Sequence, residues 1–224
     1  DHFDHSFEFQ NLLASRQRRD MLQAISDWMP QAGQFADTRQ QEPLGLGHAV
    51  WCARHLVGNE PFAVLLADDL ILADTACLKQ MVEQQAKVGG NLVATMEVPL
   101  EHTKRYGVID VGKDDGKLAE VKGLIEKPAP EKAPSRLAVI GRYILQPEVF
   151  THLDRQDRGA GDEIQLTDAM ARMIGAGPFH GLRFVGKRFD CGDKVGFLQA
   201  NIAFALARDD MKSEVQAYVR QLAK

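Results

Sequence analysis

Short β-rich runs alternate with helical patterns along the chain, and each run is bounded by glycine, proline or aspartate. These runs predict strands at 62–70, 91–98, 106–111, 137–145 and 182–190. Because strands and helices alternate, the pattern favours an α/β sheet with helices packed on it. The first run begins with FAVLLA and lacks polar alternation, which predicts a central strand buried on both faces.

Amphipathic helices are predicted outside these runs. Ser6 and Asp74 each precede apolar residues that recur about one helical turn apart, so each can cap a helix that packs one face on a core. The C-terminal stretch 194–224 predicts two helices that break near 208–210. Their apolar positions favour a role in packing or in dimer formation over a chemical role.

Length, charge and hydropathy exclude several classes of protein. A chain of 224 residues can bury a sizeable core, and we expect a single domain over 1–224. No apolar stretch is long enough to span a bilayer, and the opening DHFDHSFEFQ lacks the parts of a signal peptide. We therefore expect a cytoplasmic protein with no membrane partner. The net charge of -4 argues against nucleic acid as a partner, since phosphate-backbone binding needs a clustered positive face.

The segment RQQEPLGLGHAV, residues 39–50, places a glycine-containing turn before a helix that we expect to begin near His48. Glycines let backbone amides approach a ligand closely, and a helix N-terminus favours polar or anionic groups. The same pattern also fits a tight turn into a packed helix. We interpret His48 as a structural residue rather than a catalytic base.

Aspartates follow two of the predicted strands. Asp68 and Asp69 come after FAVLLA, and Asp190 ends the strand in KRFDCGDK, 187–194. Ligands of open α/β sheets bind at the carboxyl ends of strands, and Mg²⁺ prefers oxygen ligands. If the two strand ends converge, Asp68 and Asp190 can hold one Mg²⁺ that bridges two phosphates. A solvated turn or a helix cap also explains an Asp-Asp pair, and Lys187 is either an added positive charge or a solvated lysine.

Two further segments, YGVIDV at 106–111 and GLIEKP at 123–128, suit a sugar phosphate. Gly107 can bring backbone near a sugar, Glu126 can accept hydrogen bonds from hydroxyls, and Lys127 can neutralise a phosphate. An exposed ion pair before a proline is the alternative interpretation of Glu126 and Lys127.

In this order, the motifs resemble those of the bacterial UTP–glucose-1-phosphate uridylyltransferases, within the sugar-phosphate nucleotidyltransferase family. The matching stretches cover nearly the whole chain: DHFDHSFE, RQQEPLGLGHAV, ADDL, YGVID, IEKP, LAVIGRYIL, GAGDEIQLTDA and FDCGDKVGF. GAGDEIQLTDA together with FDCGDK is the specific part. The resemblance implies a Rossmann-like nucleotidyltransferase fold, an α/β fold whose mixed, mostly parallel sheet is flanked by helices.

The resemblance also implies roles for individual residues. The catalytic residues would be Lys127, Asp68 and Asp190. Gln40 and Gly45 would contact the uracil, and Asp68 and Asp190 would bind Mg²⁺. Gly107 and Glu126 would hold the glucose hydroxyls. Lys127 would contact the sugar phosphate. GAGDEIQLTDA would lie near the sugar, and its alternative is a capped packing helix around Ile164, Leu166 and Met170.

The implied reaction makes UDP-glucose and pyrophosphate from UTP and glucose-1-phosphate with Mg²⁺ as the cofactor, in a homodimer or homotetramer. The family's opening strand and glycine-rich loop, which wraps the UTP phosphates, have no match in the chain. We therefore expect the domain to lack its N-terminal strand-loop-helix segment and to be incomplete for catalysis alone. Thymidylyl- and cytidylyltransferases share the architecture, so base and sugar specificity stay open.

Two alternative functions are compatible with the motifs. A non-catalytic regulatory homologue would keep the fold, although the metal and sugar positions are retained here. A nucleotide-sugar glycosyltransferase would also place acidic residues after a strand, but such enzymes usually carry Asp-x-Asp, whereas Asp68 and Asp69 are adjacent. Release of pyrophosphate rather than UDP distinguishes the uridylyltransferase from the glycosyltransferase.

Overall fold

The computed structural model describes residues 5–222. The chain forms two compact units, one that ends at Arg39 and one that begins at Gln40. Residues 1–4 of the DHFDHSFE stretch lie outside the described residues, as do residues 223–224 at the end of the predicted C-terminal helices.

The first unit contains two short helices. They are α1, Phe7–Ser15, and α2, Arg19–Ser26. Ser6 stands at the N-cap position of α1, as predicted, but its side chain makes no capping hydrogen bond. Leu13 is buried, whereas Phe9 and Leu12 are almost half exposed. The predicted packing face of α1 is therefore only partly covered within the described residues.

The second unit contains the strands and the remaining helices. In chain order its main elements are α3 (Leu46–Cys52), α4 (Arg54–Val57), β1 (Phe62–Leu65), β2 (Asp69–Leu72), α5 (Cys77–Val88), β3 (Asn91–Glu97), β4 (Gly107–Asp114), β5 (Leu118–Glu126), β6 (Leu137–Leu145), α6 (Val149–Leu153), α7 (Leu166–Ala171), β7 (Phe179–Arg183), β8 (Lys187–Asp190), α8 (Lys194–Leu206) and α9 (Lys212–Leu222). Short 3₁₀ turns occur at Leu100–Arg105, Pro130–Lys132 and Ala160–Asp162.

A six-stranded sheet with the strand order β1-β6-β3-β7-β5-β4 forms the centre of this unit. β3 and β7 run parallel, and the other described pairs of this sheet run antiparallel. The predicted α/β fold with a mixed sheet and flanking helices is confirmed. The expectation of mostly parallel pairing is wrong for the described strands. A short turn joins β4 to β5 and imposes antiparallel pairing, whereas parallel pairing needs a long crossover connection.

The predicted strand 62–70 is two strands in two different sheets. β1 ends at Leu65, and β2 begins at Asp69 in a separate two-stranded sheet with β8. Among the described strands β1 pairs with β6 alone, so it lies at a sheet edge, and Leu65 is 50% exposed. The prediction of a central strand buried on both faces is therefore wrong for the described chain.

The predicted strand 182–190 is also divided, between β7 and β8. The chain turns at Gly186, where φ is 154°, and a Cβ there would lie 2.8 Å from the Cβ of Ala73. Glycine permits this close approach because it has no side chain. The turn moves β8 out of the six-stranded sheet and places it beside β2.

Two hydrophobic cores cover opposite faces of the six-stranded sheet, because successive strand residues point to opposite sides. In β3, Val93 belongs to the core that contains α6 and α7, whereas Leu92 and Ala94 belong to the core beneath α5. Cys77, the first residue of α5, is buried there, and burial raises the pKa of its thiol to about 11. The cysteine is therefore a protonated core residue at neutral pH.

Helix ends agree in part with the predictions. The two C-terminal helices are confirmed as α8 and α9, and the side chain of Asp193 caps α8 by accepting a hydrogen bond of 3.0 Å from the Gly196 amide. The predicted cap Asp74 is wrong, because α5 begins at Cys77 and its N-cap residue is Ala76.

Across residues 5–222, none of the helices combines the length and the apolar character needed to cross a membrane.

Candidate active site

A cleft of about 320 Å³ in the second unit gathers most of the predicted site residues. Its charged wall residues are Asp68, Asp69, Arg105, Glu126, Lys127, Glu163, Arg188 and Asp190. They come from the turn between β1 and β2, the first residue of β2, the 3₁₀ turn before β4, the end of β5, the segment before α7 and the end of β8. A larger cavity of about 830 Å³ lies between residues 113–122 and 174–180, but none of the predicted site residues lines it.

Asp68 and Asp190 meet in this cleft although they are far apart in the sequence. The pairing of β2 with β8 places Asp69 opposite Asp190, and the Cys191 amide donates a 2.7 Å hydrogen bond to the Asp68 carbonyl. A Cβ on Gly192 would lie 3.3 Å from both Asp68 Oδ2 and Asp190 Oδ1. The two carboxylate oxygens therefore flank one small space, which the lack of a Gly192 side chain leaves open.

This arrangement fits a divalent cation. The space beside Gly192 is bordered by hard oxygen atoms, and Mg²⁺ is usually bound by one or two carboxylates together with water and substrate phosphates. Within residues 5–222 no group of three or more His, Cys, Asp or Glu side chains could hold a metal by itself. The site is thus a two-carboxylate site that substrate oxygens would complete.

Asp69 has a different environment from Asp68. Its carboxylate accepts a 2.7 Å hydrogen bond from the Gly141 amide and forms an ion pair with Arg188. The Asp69 and Arg188 side chains are only 6% and 10% exposed. Both Asp69 oxygens are therefore engaged inside the protein, and this residue anchors β2 to β6 and β8.

Arg188 connects the acidic end of the cleft to the segment before β4. Besides pairing with Asp69, it donates a 3.0 Å hydrogen bond to the Tyr106 hydroxyl. Burial alone would lower the pKa of Arg188, but the hydrogen bonds and charge interactions with Asp69 and Tyr106 raise it overall. Arg188 is consequently a fixed cation, and it holds Tyr106 beside Gly107.

Arg105 is the more exposed cation of this part of the cleft. Its Nη2 lies 3.1 Å from Asp190 Oδ2, its side chain is 49% exposed, and its guanidinium carbon lies 5.8 Å from the centre of the Tyr106 ring. Arg188 approaches the same Asp190 oxygen at 3.5 Å. Asp190 therefore presents Oδ1 to Asp68 and Oδ2 to two arginines.

Glu126 and Lys127 line the cleft at the end of β5. The Lys127 Nζ is 3.5 Å from Glu126 Oε1, and the Lys127 amide donates a 3.0 Å hydrogen bond to the Tyr106 carbonyl. Lys127 has a φ of 46°, a left-handed conformation that is uncommon for a residue with a side chain. A Cβ on Gly107 would lie 3.2 Å from Thr167 Oγ1 and 3.3 Å from Glu126 Oε2. Glycine thus leaves room between these two polar groups.

Tyr143 on β6 also lines the cleft but is largely buried. Burial raises the pKa of its hydroxyl, and the nearby carboxylates of Glu126, Asp69 and Asp68 raise it further. Tyr143 is therefore a neutral hydroxyl in the wall and cannot supply an anion at physiological pH.

The predicted uracil residues lie beside the cleft rather than in its wall. α3 begins at Leu46, earlier than predicted, and Gln40 Nε2 donates hydrogen bonds of 3.0 Å to the Gly45 carbonyl and 2.9 Å to His48 Nδ1. Gly45 has a φ of 103°, and a Cβ there would lie 2.8 Å from the Glu163 Cβ. The glycine turn is therefore packed against the segment that carries Glu163.

GAGDEIQLTDA, 159–169, contributes residues both to the core and to the cleft wall. Ile164, Leu166 and Met170 are buried in the core, as the packing interpretation predicts. Glu163, Gln165, Leu166 and Thr167 line the cleft. The predicted position near a sugar stays a prediction, since it depends on where substrate binds.

Arg105, Tyr106, Arg188 and Thr167 were missed by the sequence interpretation, which considered Lys187 instead. Side chains alternate along a strand, so Arg188 shares a face with Asp190 whereas Lys187 shares a face with Phe189. Lys187 Nζ indeed lies 5.1 Å from the centre of the Phe189 ring, and Lys187 is absent from the cleft wall. Period-two counting back from Asp190 would have identified Arg188.

Sequence comparison identifies relatives over most of the chain. Residues 5–205 match the nucleotidyl transferase family. A UTP–glucose-1-phosphate uridylyltransferase from Komagataeibacter xylinus is 50% identical over 195 residues, covering 87% of this chain and 69% of that protein. A UTP–glucose-1-phosphate uridylyltransferase from Staphylococcus saprophyticus is 41% identical over 224 residues, covering 100% of this chain and 78% of that protein.

Structural comparison agrees with the sequence comparison. A crystal structure of a UDP-glucose pyrophosphorylase complexed with UDP-glucose superposes with a TM-score of 0.82 at 38% identity, covering 93% of this chain and 76% of the other. A UTP-bound enzyme from Acinetobacter baumannii gives a TM-score of 0.86 at 31% identity, covering 99% and 77%. On this evidence, the chain belongs to the nucleotidyl transferase family and, within it, to the UTP–glucose-1-phosphate uridylyltransferases.

Proposed function

We propose that this protein makes UDP-glucose and pyrophosphate from UTP and glucose-1-phosphate with Mg²⁺. The observation that carries the proposal is the convergence of Asp68 and Asp190 on one space, in a cleft that Glu126 and Lys127 also line. The relatives named above are uridylyltransferases that act on glucose-1-phosphate, and the neighbouring structures contain UDP-glucose or UTP. The family and the geometry of the cleft support the same reaction.

The reaction is an in-line displacement at phosphorus. An oxygen of glucose-1-phosphate forms a bond to the α-phosphorus of UTP, and the bond from that phosphorus to its bridging oxygen breaks as pyrophosphate leaves. The sugar phosphate is already ionised near neutral pH, so the site needs no strong general base. Catalysis then depends on alignment of the two substrates and on neutralisation of phosphate charge.

Asp68 and Asp190 hold the metal in this proposal. Bound Mg²⁺ supplies charge neutralisation on the phosphates and helps to orient them. Asp69 is not a metal ligand in this proposal, because its two oxygens are engaged by Gly141 and Arg188. This division explains why only one member of the adjacent acidic pair faces the space beside Gly192.

The part of the wall formed by Gly107, Glu126, Lys127 and Thr167 binds the sugar phosphate in this proposal. Glu126 and the Gly107 backbone hold glucose hydroxyls, and Lys127 neutralises the phosphate. The gap left by Gly107 between Glu126 Oε2 and Thr167 Oγ1 gives a hydroxyl group room beside two polar partners. Gln40 and Gly45 contact the uracil, and their turn is attached to the cleft wall through the 2.8 Å hydrogen bond from the Gly47 amide to the Ile164 carbonyl.

The proposal extends to location and assembly. We propose that the protein acts in the cytoplasm as a homodimer or homotetramer. α8 offers an apolar surface for assembly, since Val195, Phe197 and Leu198 are each more than half exposed.

A substrate panel tests the proposed reaction. The complete protein is incubated with Mg²⁺ and each combination of UTP, dTTP or CTP with glucose-1-phosphate or galactose-1-phosphate, and pyrophosphate release is measured. We expect the highest kcat/KM for UTP with glucose-1-phosphate. Release of UDP instead of pyrophosphate would identify a glycosyltransferase. Substrate binding without pyrophosphate release would support a non-catalytic homologue.

Closing the space beside Gly192 should weaken metal binding. Gly192→Ala places a methyl group 3.3 Å from both Asp68 Oδ2 and Asp190 Oδ1, and Gly192 has no left-handed φ that alanine would strain. We expect the affinity for Mn²⁺, used as a probe for Mg²⁺, to fall by about 10- to 100-fold, the usual cost of disturbing the surroundings of a metal site. Electron paramagnetic resonance of free Mn²⁺ measures this affinity.

Gly177→Ala is the matched control, because a Cβ at Gly177 has no neighbour within 4 Å and Gly177 is outside the cleft wall. It should bind Mn²⁺ like the wild-type protein. An unchanged Mn²⁺ affinity in Gly192→Ala would contradict the proposed position of the metal.

A further inference from the structure

Arg105 is distinguished from Arg188 by its exposure and from Lys127 by its partner. Arg188 is buried against Asp69, whereas the Arg105 side chain is 49% exposed and is held by one 3.1 Å contact to Asp190 Oδ2. That contact uses one of several N–H donors of the guanidinium, and the residue lines the cleft. Arg105 therefore presents further donors to the cleft.

Few cationic side chains of the cleft wall are available to contact the phosphates of UTP and glucose-1-phosphate. Arg188 and Asp69 form a buried pair, so neither charge is available to substrate. Among the described wall residues, Arg105 and Lys127 are the remaining cations. Lys127 already lies 3.5 Å from Glu126, which leaves Arg105 as the exposed cation next to Asp190, since Arg188 is buried.

Asp190 fixes the position of Arg105 relative to the proposed metal. Its Oδ1 borders the space shared with Asp68, and its Oδ2 accepts the Arg105 contact. Because one carboxylate borders that space and contacts Arg105, the guanidinium would lie near a phosphate group that a metal held by Asp68 and Asp190 would bind. A guanidinium also binds phosphate oxygens in a two-pronged geometry that lysine cannot reproduce.

We propose that Arg105 is a phosphate-binding residue of this cleft, which Asp190 holds next to the metal so that one carboxylate positions two cations. The inference rests on the proposed function, because it takes UTP and glucose-1-phosphate as the phosphate ligands. Lys127 and Arg105 then both act on the substrate phosphates, from neighbouring backbone that is joined by the hydrogen bond from the Lys127 amide to the Tyr106 carbonyl.

The test compares Arg105→Ala and Arg105→Lys with the wild-type protein by direct binding. Calorimetry with the Mg²⁺-loaded protein gives the affinities for UTP and for glucose-1-phosphate. Ligand-observed NMR gives the affinity for uridine, which has no phosphate, and Mn²⁺ titration gives the affinity for the metal alone. We expect Arg105→Ala to lower the affinity for UTP or for glucose-1-phosphate by about 10- to 100-fold, the range for a lost charge-assisted hydrogen bond. Arg105→Lys should recover only part of that loss.

Uridine and Mn²⁺ should bind Arg105→Ala within about threefold of wild type, because Arg105 acts on phosphate. Arg136→Ala is the matched control, since Arg136 forms an exposed 3.4 Å ion pair with Glu97 outside the cleft. Equal loss of uridine affinity, or unchanged affinity for both phosphate ligands, would overturn the proposal. Failure of the wild-type protein to bind UTP or to release pyrophosphate would instead refute the proposed function.

Discussion

Replacing Asp68 or Asp190 by alanine is expected to abolish metal-dependent turnover while the protein stays folded. The two side chains supply the oxygens at the space beside Gly192, and loss of either leaves one carboxylate for the metal. A catalytic metal contributes several kcal/mol to stabilisation of the transition state, so we expect kcat/KM to fall by about 1,000-fold or more.

Pyrophosphate release with UTP and glucose-1-phosphate measures this effect, and thermal unfolding checks that each variant is folded. Asp209→Ala is the control, since Asp209 is an exposed aspartate between α8 and α9 and lies outside the cleft wall. Near-normal turnover in either Asp68→Ala or Asp190→Ala would defeat the metal assignment. Asp190→Ala should also weaken phosphate binding more than Asp68→Ala, because Asp190 holds Arg105.

Part of the cleft wall could be predicted from the sequence. Asp68, Gly107, Glu126, Lys127 and Asp190 all line it, as expected from their positions at or next to strand ends. Ends of strands from both sheets meet at this cleft, and residue type together with a position at a strand end predicts these residues. The roles of these residues stay predictions until substrate binding is measured.

The sequence did not predict which side chains of the cleft contact each other. The assignment of Asp68 to the open space and of Asp69 to Arg188 depends on the register of β2 and β8. A shift of one residue would exchange the faces of the two aspartates. Register is a tertiary property, set by the turn at Gly186 and by the anchoring of Asp69 on Gly141.

Strand prediction succeeded where local signals were sufficient. The run 137–145 is apolar and bounded by polar residues, and β6 has these limits. β5 was not predicted, although Ala119 and Val121 alternate with Glu120 and Lys122 in the pattern of a half-buried strand. The prediction of one strand over 62–70 was wrong because the apolar stretch FAVLLA contains no sign that the chain changes sheets after Leu65.

Arg188→Met should cause the largest loss of stability among single substitutions in the cleft. The variant keeps much of the side-chain volume but leaves the Asp69 carboxylate, 6% exposed, without its cation. Breaking a buried ion pair in this way typically costs about 3–5 kcal/mol. Urea unfolding followed by circular dichroism measures the free energy of unfolding of each variant.

Two further variants identify the cause of that loss. Arg183→Met removes the cation of the more exposed Arg183–Asp114 pair, whose nitrogen and oxygen are 2.8 Å apart, and it should lose much less stability. Adding Asp69→Asn to Arg188→Met removes the unpaired charge and keeps an oxygen that can accept the Gly141 hydrogen bond, so stability should partly return. If the double variant is less stable than Arg188→Met, lost packing rather than a stranded charge is responsible, and Asp69 does not serve as the charged anchor of the cleft.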